Sequence, residues 1–238
     1  MILSLFRRLR ARLFGVPPVR REPAPTAFPD PIRVPPRAPA PPPPERGEAE
    51  VIGEVEDWVR REVAGGYRSA EEIVADLPDM FEGEMDDARL RALAPAMVEA
   101  AIAAHRRAEL GWPAVTDCDR LDAAFAALEE AGIVSRQNFS CCGTCGSTEI
   151  WDEVDEARAE GRAVRGYGFF HMQDAESAAE GHGLYLAYGA VDEGEAAALA
   201  VGREIVATLE RSGLAADWDG RWDRRIGVSL DWKRRRAD

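Results

Sequence analysis

In Gly132-Ile133-Val134-Ser135-Arg136-Gln137-Asn138-Phe139-Ser140-Cys141-Cys142-Gly143-Thr144-Cys145-Gly146 the hydrophobic period of the chain changes. Upstream, apolar residues recur every three or four positions, the spacing of helices; at Ile133 that period breaks off in the adjacent pair Ile133-Val134. A strand over Ile133 to Cys141 is therefore predicted, delivering a cysteine cluster to a turn, with a helix from Thr144 to Gly161 behind it.

Working back from that point, Val51, Val55, Trp58 and Val59 form an apolar stripe that runs to Gly65-Gly66, a natural helix stop. Ser69-Ala70-Glu71-Glu72 has capping-box spacing, and Pro78 is expected to end the short helix behind it. A longer helix is predicted over Asp86 to Leu110, kinked or divided at Pro95, with His105 as an ordinary base near its end. Thr116-Asp117-Cys118-Asp119 caps another helix, which Gly132 closes.

Working forward, strands are predicted over Val164 to Met172 and Gly183 to Ala190, then a helix over Glu193 to Arg211. Two last strands, Ala215–Trp218 and Arg225–Trp232, would pair around Gly220. Helices first and mixed elements after define an α+β fold: a helical N-terminal subdomain, then a mixed sheet of about five strands with packed helices. The expected division is a basic, proline-rich, disordered arm over 1–46 and a single domain over 47–238, helical over 51–132 and sheet-containing over 133–233.

The arm rests on composition. Thirteen of the chain's 16 prolines lie between Pro17 and Pro44, and proline lacks the amide donor that helix or sheet needs. A spacer is the direct inference, although Pro-x-x-Pro spacings also suit an aromatic-lined groove on a protein partner. Met1 to Phe14 places Leu5, Phe6, Leu9 and Leu13 on one helical side among arginines, a pattern for weak membrane-surface contact.

Residues 1–46 hold nine arginines against three carboxylates, so of the total charge of -13 the remainder carries -19. Such an acidic body excludes a general nucleic-acid binder, which needs excess Lys and Arg for phosphate. No stretch reaches the roughly 18 apolar residues of a membrane-spanning helix. Arginines interrupt the apolar residues of the first segment, unlike a signal peptide, so a reducing cytoplasm is the expected location.

Three of the four cysteines fall in Cys141-Cys142-Gly143-Thr144-Cys145, and His171 and His182 follow. In a chain otherwise poor in both residue types, this is the strongest chemical lead. Cys142-x-x-Cys145 lets two thiolates reach one tetrahedral zinc, with Gly146 easing the turn. Cys141 adds a third thiolate only if the backbone turns sharply, since neighbouring strand residues point to opposite faces. His171 and His182 are the candidates to complete the set.

The same spacing at a strand-to-helix junction also suits thiol redox chemistry, although neither a βαβ context nor a following proline is evident. A third assignment makes Cys142 a nucleophile and His171 its base, oriented by Asp174 or Glu176. Against all three stands simple packing, which suits Cys118 best. The alternative to a functional site is then a non-catalytic interaction module on a proline-rich tether. Lys233-Arg234-Arg235-Arg236 is expected to be a solvated, frayed tail.

Thr116–Leu121 (TDCDRL), Asn138–Gly146 (NFSCCGTCG), Gly166–Asp174 (GYGFFHMQD) and Gly183–Gly189 (GLYLAYG) stand in this order along the chain. Together they resemble a group of mainly bacterial domains of unknown function, over about Val51 to Trp232. The resemblance implies a shared fold and a shared site around the Cys and His motifs. It implies no activity, cofactor or catalytic residue.

Overall fold

The computed structural model describes residues 47–236, so the expected arm over 1–46 and its membrane contact lie outside the described residues. Seven helices and five strands follow. The helical part contains α1 (Glu48–Gly65), α2 (Ala70–Met80), α3 (Asp87–Glu109) and α4 (Asp117–Glu130). Gly66 stops α1 in the left-handed conformation, φ 76°. The capping boxes at Ser69/Glu72 and Thr116/Asp119 both form, so the first turns of α2 and α4 have their free amides satisfied. Val55, Val59, Ile73, Leu77, Leu90 and Val98 close a core between α1, α2 and α3.

Neither proline ends its helix. Pro78 lies inside α2, which runs on to Met80, and Pro95 does not divide α3. Packing of the apolar stripes on both sides of each ring outweighs one lost backbone hydrogen bond.

The second part is built from β1 (Ile133–Arg136), α5 (Gly143–Ala159), β2 (Gly166–Phe169), α6 (Met172–Ala179), β3 (Leu184–Ala190), α7 (Glu195–Arg211), β4 (Ala215–Asp217) and β5 (Ile226–Ser229). The sheet order is β1-β2-β3-β5-β4, with β1 and β2 parallel and the other neighbours antiparallel. On one face Leu121, Phe125 and Leu128 of α4 and Ile205 and Leu209 of α7 bury Ile133, Phe170, Leu184 and Leu186. On the other, Ile150, Val154 and Ala157 of α5 cover Val134 and Phe169. The α+β architecture expected from the sequence is thus present.

Three expectations are corrected. β1 stops at Arg136, well short of Cys141, because Asn138 and Ser140 take positive φ (50° and 62°), which no strand accommodates. β2 stops at Phe169, and His171 then caps a helix instead of extending a strand. The parallel pair joined through α5 is a βαβ unit, the context that the sequence does not make evident around the Cys-x-x-Cys spacing.

The basic tail is also not frayed. Trp232 Nε1 donates to the Ala64 carbonyl at 2.9 Å. Arg234 lies over the rings of Tyr67 and Trp232, 4.5 and 5.5 Å from their centroids, and pairs with Asp122 at 2.9 Å. Arg236 donates to the Arg68 carbonyl at 2.7 Å. His105, far from being a plain helix-end base, donates from Nε2 to the Arg234 carbonyl at 2.9 Å and meets Trp112 edge-on. Leu230 to Arg236 therefore straps the sheet part to the helical part.

Candidate metal centre at the end of the parallel strands

Loops leaving the carboxyl ends of parallel strands are where α/β units place their ligands, and both chemical motifs lie there. Three backbone hydrogen bonds hold the two loops side by side: Phe139 N to Phe170 O at 2.8 Å, Phe170 N to Arg136 O at 3.2 Å, and Met172 N to Ser140 O at 3.1 Å. The turn at Ser140 swings Cys141 round beside Cys142, supplying the sharp bend a third thiolate requires. The Sγ atoms of Cys141, Cys142 and Cys145 consequently lie within 4.8 Å of one another. Cys141 is exposed, while Cys142 and Cys145 are half-buried.

Cys142 is the N-cap of α5. Its thiolate is favoured, below the ordinary thiol range, first by the backbone N–H of Cys145, then by the Cys145 thiol and the Thr144 N–H. Cys145 is pushed the opposite way, to about 11, by hydrogen bonding to Cys141 and Cys142 and by their charge. The two thiols of the pair are thus shifted in opposite directions.

Gly146 serves packing, not the turn. It lies within α5, and a Cβ there would meet Phe169 Cε2 at 2.5 Å and Cζ at 3.0 Å. Phe169 has no exposed surface and cannot retreat. Gly146→Val is expected to cost about 1–3 kcal/mol by overpacking, read as a lowered denaturation midpoint. An unchanged midpoint would show that the helix rides clear of β2.

His171 is 7% exposed and lies against the cysteine turn, its Cδ2 and Nε2 each 3.5 Å from where a Gly143 Cβ would stand. Burial lowers its pKa, with Asp174 opposing and Arg225 adding to the shift, so the ring is neutral near pH 7. Nε2 then donates to Asp174 Oδ2 at 3.0 Å, and the same oxygen accepts from the His171 backbone N–H at 3.2 Å. Arg225 pairs with Asp174 from across the sheet and also reaches the Tyr185 carbonyl. The ring is anchored, and its buried Nδ1 has no hydrogen-bond partner.

Of the residues predicted for the site, Cys141, Cys142 and Cys145 come together, and His171 with Asp174 stands beside them. Neither histidine supplies an atom to the group of ligand atoms within 4.8 Å. His182 lies apart, its side chain 71% exposed with Nδ1 3.7 Å from Glu180. Cys118 is buried in α4 and its thiol is raised to about 11 by desolvation. Sequence reasoning missed two contributors. Arg225 carried no local signal, being 51 residues from Asp174. The backward turn at Asn138 and Ser140 was visible only as an Asn in a polar run.

An α+β fold with a three-cysteine cluster at the end of a βαβ unit describes this protein. The chain belongs to the family described as a domain of unknown function (DUF6891), whose model matches residues 48–236. No curated protein and no solved structure matches it. Among the described residues, no helix is long and apolar enough to cross a membrane.

Proposed function

We propose that this domain binds one zinc ion through the thiolates of Cys141, Cys142 and Cys145. The observation that carries this is the convergence of the three sulfurs within 4.8 Å on a loop bent by positive φ at a serine. Soft sulfur donors select zinc over magnesium or calcium, and a metal binding three thiolates displaces their protons. Backbone strain next to a donor cluster is the pattern of a site retained for function. Protein purified without chelator is expected to hold near one zinc per chain; metal-free protein that binds none on titration would end this proposal.

A second assignment draws on the N-cap position of Cys142 and its neighbour's raised pKa: a metal-free nucleophilic thiol. Thiol counting separates the two. In metal-free native protein Cys141 and Cys142 should react first, Cys145 more slowly because its thiol is raised to about 11, and Cys118 only after denaturation. Zinc is expected to protect all three, whereas a dedicated nucleophile would stay fast with zinc present. The interaction-module alternative requires all four thiols to be slow in native protein.

A further inference from the structure

We propose that the fourth position of this zinc is filled from outside the domain, by a thiolate. The inference rests on the zinc assignment above and deepens it.

A tetrahedral zinc needs four donors, and among the described residues three converge. His171 lies against the cysteine turn, but neither of its ring nitrogens joins the ligand atoms that converge there. Its Nε2 is engaged by Asp174 at 3.0 Å, and Asp174, itself 5% exposed, is held in turn by Arg225. Nδ1 is enclosed, with no surface open to an incoming ion. His182 is exposed on a turn beside Glu180. Cys141, by contrast, is exposed, so the sulfur triangle opens to solvent on that side.

The chemistry of the donor set selects what enters. Three thiolates around Zn²⁺ leave a net charge of -1 and a metal rich in donated electron density. Such a metal is a weak Lewis acid toward water, and a soft donor suits it better than a hard one. A thiol binding there loses its proton to solvent as the Zn–S bond forms and water leaves. No electrons are transferred. The site would then hold either a small cellular thiol or a cysteine offered by another protein.

Cobalt(II) in place of zinc reports the number of bound sulfurs through its sulfur-to-metal charge-transfer band. The full chain loaded with one Co²⁺ should show a band that rises by about one third on addition of reduced glutathione, one sulfur joining three. S-methylglutathione should leave it unchanged. A cysteine-bearing ten-residue peptide distinguishes the sources: saturation at far lower peptide than glutathione assigns a protein partner, and the reverse a free thiol. A band insensitive to every thiol, with cobalt still bound one to one, would overturn the inference and leave the zinc assignment standing. That result would point to His171 Nδ1 reaching the metal after ring movement. Failure to bind cobalt at all overturns both.

Discussion

The Cys142→Ser variant is expected to lose zinc while staying folded. Even partners that merely hydrogen-bond to a metal ligand are worth about ten- to a hundredfold in affinity, so removing one of three thiolates should cost more than about a hundredfold. Stability is a separate matter. The sulfurs lie at the outer end of α5, Cys141 exposed and the other two half-buried, while α5 is held to the sheet by Ile150, Val154 and Ala157 further along. Residue 142 is an N-cap with an extended backbone, φ -157° and ψ 170°. Serine is among the preferred N-cap residues, so the helix start should not suffer. Zinc content and competition against a chelator measure the first effect, and a thermal melt of metal-free protein the second.

Cys118→Ser should show the converse pattern. That thiol is 1% exposed in α4, and a hydroxyl in its place loses solvation at a cost of about 1–3 kcal/mol unless it finds a partner. Zinc binding should be unaffected. A melt of the Cys142→Ser variant lowered by more than about 10 °C would instead make the metal part of the folded structure.

Much of this fold is legible because its signals are local. The capping boxes at Ser69 and Thr116 need only four residues each, and the left-handed stop at Gly66 needs one. Strand ends are not local. No Gly or Pro interrupts the stretch from Ile133 to Cys141, yet pairing ceases after Arg136, where its partner β2 ends at Phe169. The site divides in the same way. The cysteine spacing names the donors, but the positive φ of Ser140 that joins Cys141 to the pair is a property of the packed loop. His171 illustrates a signal present but misread. Asp174 three residues on is the spacing of a capping arrangement, and its carboxylate does accept the His171 backbone N–H. Alternation with Phe169 and Phe170 suggested a strand more strongly than that single acid suggested a helix start.

The strap formed by Leu230 to Arg236 makes the second large prediction, because it ties the chain around α1 into the core of the sheet part. Tyr67 and Phe170 lie within 6.4 Å of the Trp232 ring, one from the loop between α1 and α2 and the other from the sheet. Truncation in Trp232→Ala removes this packing together with the hydrogen bond to Ala64. About 3 kcal/mol is the expected loss, the lower end for a tryptophan because this one is only partly buried. Arg234→Ala should cost less, about 1–2 kcal/mol, since its side chain is only 12% exposed but Asp122 is 47% exposed and keeps the hydrogen bond from Gln137 at 2.8 Å. Both substitutions act on one stacked unit, Tyr67–Arg234–Trp232, so the double variant should lose less than the two singles together. Denaturant unfolding of the three variants reads this directly. Additive losses would mean that each side chain anchors the strap independently, and no loss in either single variant would return the tail to the solvated state its four consecutive basic residues suggest.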